Sequence, residues 1–357
     1  MGAAGESCHE KAGAGTANAL KRWAIMADPS RSDMNTRLSS EPGLPVTGVL
    51  YNPRSHRNRG TEPRELDYPV IRVEQPERRR DMKAAMQRFV DSGVELLVIN
   101  GGDGTVRDVL TAGNMVFGDN WPALAVLPRG KTNALTIDLE MPRSWTLEEA
   151  ILAHRDGRRV QRQPLVLEPL GETDDPLVRL GFILGAGAFV AAIDSGQGAH
   201  RLGAFEGLAV GATAGWGFLQ MLFGGEENPW RRGAPMNVRL GPEMAALPHS
   251  EHGEMSRRSA LFASTLRRFP AGLDPFSELP GPIRVFAVDR FRRRFAFLLP
   301  PILKGWRPGW MAQAGLQRAS TDRIDLDLGD GFILDGERFD PGRYCVTPGP
   351  ELTFVIP

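Results

Sequence analysis

The run Val98-Ile99-Asn100-Gly101-Gly102-Asp103-Gly104-Thr105 constrains this chain more than any other segment. An apolar strand ends in three glycines wrapped around one carboxylate, and Thr105 opens a helix. Gly101, Gly102 and Gly104 let backbone N–H groups converge where side chains would block them. Such a nest at a helix N-terminus attracts phosphate.

The surrounding pattern sets the fold class. Val46–Tyr51 reads as a short strand ending in Asn52-Pro53. Arg78 to Val90 reads as a helix, with Met82, Ala85, Met86 and Phe89 at i, i+3, i+4, i+7 spacing. Val94 to Asn100 is a nearly continuous apolar run, as a strand covered on both faces requires. Thr105-x-x-Asp108 and Thr146-x-x-Glu149 read as capping boxes, and Ala123–Leu127 as another buried strand. This alternation predicts an α/β domain with a mostly parallel sheet over residues 45–162. Ligands on such sheets bind beyond the carboxyl ends of the strands, where Asn52, Gly101–Thr105 and Gly130–Asn133 all lie.

The texture changes near Gln163. Short β-rich runs recur at Leu165–Leu167, Leu177–Leu184, Met236–Leu240, Ser259–Leu266, Ile283–Val288, Ile324–Leu328, Phe332–Leu334 and Leu352–Ile356. Ile324–Leu328 alternates with period two, and Gly329-Asp330-Gly331 then reads as a hairpin turn. Residues 163–357 are predicted to form a β-rich antiparallel domain, interrupted by an apolar, helical Leu202–Phe223. Residues 1–44 are rich in Gly, Ala, Ser and charge without periodicity. They are expected to be disordered, and Met26 and Met34 offer later start sites.

The 357 residues are enough for about two domains. Lys plus Arg and Asp plus Glu number 43 each, which argues against nucleic-acid binding through bulk charge. Cys8 and Cys345 sit near opposite ends, so neither a disulfide framework nor a zinc spacing can be built, as suits a reducing compartment. No run reaches the roughly 18–20 apolar residues of a membrane span. Residues 1–30 hold no signal-peptide core, and Glu6 stands where myristoylation needs Ser or Thr. A cytoplasmic protein is expected.

Phosphoryl transfer asks a protein to hold phosphates, neutralise charge and align an acceptor oxygen. The three glycines offer backbone donors. Asp103 offers a carboxylate to orient Mg²⁺ or take a proton. Gly130-Lys131-Thr132-Asn133 adds a second Gly-led loop with a cation and two polar side chains. It is not a Walker A loop, because Ala125 stands where that motif needs its first Gly. Asp335-Gly336-Glu337 places two carboxylates around a Gly after a β hairpin, where they can serve as metal partner and general base.

Together these pieces resemble the diacylglycerol-kinase catalytic-domain family of soluble lipid kinases, which includes bacterial diacylglycerol kinases and the sphingosine and ceramide kinases. The resemblance runs from about Gly48 to the C-terminus. Asn52-Pro53 with Ser55 is similar to the family's first nucleotide loop, and Asn100–Thr105 to its G-G-D-G-T signature. Leu127–Asn133 is similar to its P-x-G-T-x-N loop, Gly185–Ala188 to the Gly-rich start of the second domain, and Asp335–Glu337 to its late acidic motif.

The resemblance implies an ATP- and Mg²⁺-dependent kinase acting on the primary hydroxyl of a neutral lipid, of the diacylglycerol or ceramide and sphingoid class. It implies a nucleotide site of Asn52, Ser55, Gly101, Gly102, Gly104, Thr105, Gly130, Lys131, Thr132 and Asn133. Asp103, Asp335 and Glu337 would share the roles of base and metal partner. It also implies that the last strand returns to the first domain. Lys131 departs from the usual Thr, and Ala134 from the usual acid; Asn133-Ala134-Leu135 is closer to the sphingosine-kinase form.

A lipid kinase without a spanning helix must touch the membrane transiently. Phe291–Pro300 and Trp306–Trp310 mix basic and aromatic residues suited to that contact. His56, His154, His200 and His252 show no ligand spacing. Two alternatives stand beside the lipid-kinase expectation: an NAD kinase-like enzyme, and an inactive nucleotide- or lipid-binding module.

Overall fold

Leu96, Leu97, Val98 and Ile99 are fully buried, which places their strand in the middle of a sheet covered on both faces. A computed structural model describes residues 43–58, 70–171, 175–191 and 232–357. The side chains of 294–296 lie outside that description, as do the expected disordered segment up to residue 42 and the Leu202–Phe223 helix. Residues Pro45–Pro357 make up one compact unit.

The first part alternates strands and helices. Its strands are β1 (Thr47–Tyr51), β2 (Ile71–Glu74), β3 (Leu96–Gly101), β4 (Ala123–Pro128) and β5 (Arg158–Arg162), and its helices are α1 (Arg79–Asp91), α2 (Asp103–Phe117), α3 (Ala134–Asp138) and α4 (Leu147–Asp156). The sheet runs β2-β1-β3-β4-β19-β5, where β19 is Leu352–Ile356. β1, β2, β3 and β4 are parallel, and β19 enters parallel to β4, with Phe354 opposite Leu124. The end of the chain therefore closes the first sheet.

The helical periodicity of α1 buries Met82, Ala85, Met86 and Phe89. A Cβ on Gly48 would lie 2.9 Å from the Phe89 ring, so only a glycine lets α1 sit this close to β1. Thr146 and Glu149 do form a reciprocal capping box at α4. Thr105 and Asp108 do not. The N-cap of α2 is Gly102; Thr105 lies inside the first turn and accepts a bond from Asn52, while Asp108 pairs with arginines.

The remaining strands are antiparallel. They are β6 (Leu165–Pro169), β7 (Arg179–Gly181), β8 (Ile183–Gly187), β9 (Ala234–Leu240), β10 (Ala245–Ala246), β11 (Arg257–Arg258), β12 (Ala260–Ser264), β13 (Ile283–Val288), β14 (Leu316–Thr321), β15 (Ile324–Leu328), β16 (Phe332–Leu334), β17 (Glu337–Phe339) and β18 (Gly342–Pro348). One helix, α5 (Arg293–Leu303), joins β13 to β14 through a turn region. Two sheets result, β10-β9-β15-β18-β6-β7 and β14-β13-β12-β8-β16-β17. Leu165, Val238, Leu326 and Val346 of one share a single buried core with Leu184, Leu261, Val285 and Phe332 of the other. The architecture is thus an α/β domain with a mostly parallel sheet followed by an antiparallel β-rich region.

Two local expectations change. Leu177–Leu184 is not one strand. The chain crosses from one sheet to the other at Phe182, whose N–H leaves both ladders and binds the Asp335 carboxylate at 3.1 Å. Gly329–Gly331 is not a hairpin turn. It carries the chain from β15 in one sheet to β16 in the other, and the Gly329 N–H donates to Pro235.

Buried Asp138 ties the two parts together. It accepts from Arg162 Nε of β5 at 2.5 Å and from the backbone N–H groups of Arg267 and Arg268 at 2.6 and 2.8 Å. Removing a buried ion-pair partner leaves a guanidinium and two N–H groups without acceptors, which typically costs about 3–5 kcal/mol. Asp138→Ala is expected to lower the urea midpoint by a corresponding amount with an unchanged slope, whereas Asp138→Asn keeps part of the loss at bay. An unaltered midpoint for the alanine variant would contradict this assignment.

Candidate active site

Three strand ends of the parallel sheet open into one cavity of about 460 Å³. Asn52 follows β1, the glycine nest follows β3, and Gly130 follows β4. Gly102, Asp103, Gly104, Thr105, Gly130, Lys131 and Thr132 line it, with Asn52 and Ser55. Asp335 and Glu337 line it from the β-rich part. Gly101 is buried behind the nest at the end of β3.

The two glycine loops touch backbone to backbone. A Cβ on Gly102 would meet Gly130 Cα at 2.7 Å, and a Cβ on Gly130 would meet Gly102 Cα at the same distance. No side chain fits at either position. Gly104 differs: a Cβ there meets only Arg107 Nη2, at 3.9 Å.

Asn133, expected among the nucleotide contacts, is used inside its own loop. Its Oδ1 accepts from the Gly130 N–H at 2.8 Å and its Nδ2 donates to the Gly130 carbonyl at 2.9 Å. It adopts a left-handed conformation with φ 54°, which asparagine tolerates. Asn52 is also partly committed, since its Nδ2 donates to Thr105 Oγ1 at 2.7 Å and its Oδ1 accepts from the Arg54 N–H. These two side chains shape the loops. Lys131 and Thr132 stand exposed on the rim.

Asp103 opens α2 and faces the loop that precedes α3. The N–H groups of Leu135, Ala134 and Asn133 point at its carboxylate, Leu135 at 3.4 Å. Burial pushes its pKa up, and these donors pull against that. Asp335 is pushed up as well, to about 7, first by burial and then by the charge of Asp103. The two carboxylates therefore feel each other across the cavity. The N–H groups of Phe182 and Ile183 hold Asp335 from behind, at 3.1 and 2.9 Å.

Asp335-Gly336 is the turn of the β16–β17 hairpin and does not follow it. Leu334 pairs with Glu337, and both central residues have positive φ, 45° and 81°. A two-residue turn of that kind suits Asp-Gly. The turn aims Asp335 back towards β8 and Glu337 towards the helices.

Glu337 meets two guanidiniums, those of Arg79 and Arg107. Burial alone would raise its pKa, but the hydrogen bonds and charges of the arginines hold it below the usual range. It is an anchored anion, poorly suited to take a proton. Arg79 and Arg107 carried no sequence motif. Arg107 falls within the apolar α2 pattern and Arg79 within a run of charged residues, so neither spacing nor composition singles them out. Buried Asn58 was missed as well; it donates to Asn52 and Asn100 and fixes the first loop. Gly185 and Gly187 do not line the cavity; they sit in β8, packed against Phe189 and Ser259.

The protonated form of Asp335 is favoured in the folded state. Its stabilising contribution is complete below about pH 4 and is lost as pH rises through about 7. In metal-free buffer the wild-type melting temperature is expected to fall across this range relative to Asp335→Asn, which stays neutral and keeps an acceptor for Phe182 and Ile183. Parallel melting curves for both proteins against pH would remove the carboxylate-pair reading.

Residues 47–163 match the family model for the diacylglycerol kinase catalytic domain. A crystal structure from Bacillus anthracis str. Sterne, described as a diacylglycerol kinase, aligns at 13% identity over 89% of this chain and 99% of that one, with a TM-score of 0.56. Two others from the same organism, described provisionally as diacylglycerol kinases, align with the same identity and coverage at TM-scores of 0.59 and 0.58. At this identity the structures show a shared fold. No curated protein matches the chain. Residues 47–163, which carry the glycine nest, its aspartate and the second glycine loop, are thus similar to a diacylglycerol kinase catalytic domain, a domain of kinases.

Proposed function

We propose that this protein is an ATP- and Mg²⁺-dependent lipid kinase. It would transfer the γ-phosphate to the primary hydroxyl of a neutral lipid, of the diacylglycerol or ceramide and sphingoid class. One observation carries the reading: a single cavity gathers a backbone nest, a rim of cations and a carboxylate whose pKa is raised to about 7.

The roles follow from position. Gly102 and Gly104 present N–H groups to phosphate, with Gly130, Lys131, Thr132 and Ser55 around them. Asp335 takes the proton of the acceptor hydroxyl as that oxygen attacks the γ-phosphorus and the bond to the bridging oxygen breaks, releasing ADP. A base with a pKa near 7 is well matched to that step at neutral pH. Glu337, already paired, positions the hairpin.

Asp103 offers hard carboxylate oxygens of the kind Mg²⁺ typically takes, one or two carboxylates at a time, when it also binds substrate phosphates, so the donor fits. When bound, Mg²⁺ would neutralise charge on the phosphates. Asp103 would hold it, and the N–H groups of 133–135 fix the orientation of that carboxylate.

Membrane contact belongs to the same reading. Among the described residues no helix is long and apolar enough to cross a membrane. Trp306 and Trp310 are 45% and 37% exposed and their rings lie 5.9 Å apart. They follow α5, whose Leu303 carbonyl accepts from the Asp274 N–H. Asp274 lies between Ser264 and Ile283, at the end of the sheet where Ser264 binds the Phe182 carbonyl. The tryptophans thus stand exposed beside the segment that joins β12 to β13. Interfacial tryptophans of this kind suit a headgroup layer.

Radiolabelled ATP and a panel of lipids test the reaction. Label is expected in a lipid product only when a lipid hydroxyl is supplied, and Asp103→Asn is expected to abolish it without unfolding the protein. Gly104→Ala gives a sharper outcome. Alanine in a helix is favoured over glycine by about 1 kcal/mol, so the variant should melt no lower than wild type while losing transfer. Label in no lipid, or full turnover in both variants, would overturn the proposal. The surface is tested by sedimentation with phosphatidylglycerol vesicles. Trp306→Ala/Trp310→Ala is expected to lower binding roughly tenfold, by removing two interfacial anchors; equal sedimentation would exclude this patch.

A further inference from the structure

We infer that Arg79 is a polyphosphate-responsive latch: it clasps Glu337 at the cavity wall and exchanges that carboxylate for phosphate when a nucleotide enters. The inference rests on the ATP reading and adds a competition inside the site.

Two guanidiniums and two carboxylates form a closed quartet at the cavity wall. Arg79 binds Glu337 through both oxygens and Asp108 Oδ2 through its Nε at 3.0 Å. Arg107 Nη2 binds Glu337 Oε2 and Asp108 Oδ1, each at 2.7 Å. The two arginines are not equivalent. The Arg107 side chain is 4% exposed and its Nη1 also binds the Leu334 carbonyl, so it cannot leave. The Arg79 side chain is 58% exposed and lines the cavity. Exposed ion pairs contribute little net stability and are screened by solvent.

The glycine nest is adjacent. A Cβ on Gly104 would lie 3.9 Å from Arg107 Nη2, the atom that shares Glu337 Oε2 with Arg79. A phosphate chain cradled at Gly104 therefore arrives beside Arg79. A terminal phosphate offers the same fork of oxygens that Glu337 offers, with more charge. Once Arg79 turns to it, Glu337 keeps Arg107 on Oε2. Its Oε1, which only Arg79 holds among the described residues, is released into the cavity. Glu337 thus occupies the guanidinium that phosphate would take and must be displaced.

This yields an unusual expectation: neutralising an acid in the cavity should tighten nucleotide binding. Calorimetric titration with a non-hydrolysable ATP analogue and MgCl₂ measures it without turnover. Glu337→Gln is expected to bind roughly three- to tenfold more tightly than wild type, and Arg79→Gln about tenfold more weakly. In the Arg79→Gln background the Glu337→Gln gain should vanish. Arg79→Lys, which alters an exposed side chain and needs no refolding, should weaken binding roughly threefold through loss of the bidentate fork. Unchanged or weaker binding by Glu337→Gln, an equal gain in both backgrounds, or wild-type affinity in Arg79→Lys would each overturn the latch and make Arg79 a static brace. If wild type binds no analogue at all, the nucleotide reading itself falls, an outcome distinct from intact binding that ignores Glu337.

Discussion

A guanidinium taken out of water needs acceptors for nearly all of its N–H groups, and Arg107 finds them in two different parts of the chain. Asp108 is its neighbour on α2; the Leu334 carbonyl and Glu337 belong to the late hairpin more than two hundred residues away. The Phe339 ring lies over it, 5.5 Å from Cζ. Satisfying this one buried cation fixes the hairpin against the helix that begins at the glycine nest. How Asp335 faces Asp103 depends on that registry.

The hairpin then does a second thing. Its turn has two residues with positive φ, so it reverses direction without slack. Asp335 is driven back onto the amide groups of Phe182 and Ile183, at the point where the chain changes sheets. A sheet change leaves amides without ladder partners, and a carboxylate supplies them. Burying that carboxylate beside Asp103 is what raises its pKa. The same contact that repairs the backbone therefore prepares a proton acceptor near neutrality.

Much of this was legible in the sequence because it rests on local physics. The nest needs glycine where a Cβ on Gly102 or Gly130 would lie 2.7 Å from the other's Cα, and glycine is visible in a sequence. The buried strand Leu96–Ile99 and the helical stripe of Met82, Ala85, Met86 and Phe89 are periodicities. What escaped is long-range. Nothing in Gly329-Asp330-Gly331 distinguishes a hairpin from a passage between sheets, since both need a turn. Asn133 carries donor and acceptor groups that suit a ligand, and only the fold reveals that Gly130 takes them. Arg79 and Arg107 gain their meaning from Glu337, 258 and 230 positions away. Spacing has no way to encode such pairs.

The departures at Lys131 and Ala134 fit the same electrostatics. Ala134 is 4% exposed, and its N–H points at Asp103. An acid there would add a third negative group beside Asp103 and Asp335, where burial and then the charge of Asp103 already raise the Asp335 pKa to about 7. Alanine keeps the loop short of charge and leaves its N–H groups as the partners of Asp103. Lys131, exposed on the rim, adds a cation where the family's usual residue has none. Both changes move the cavity towards positive potential. That compensates for Arg79 and Arg107 being partly neutralised by Glu337 and Asp108. The balance of the site is thus set by which carboxylates are shielded by arginines and which are held only by backbone amides. The shielded ones give the cavity its shape, and the others face whatever enters it.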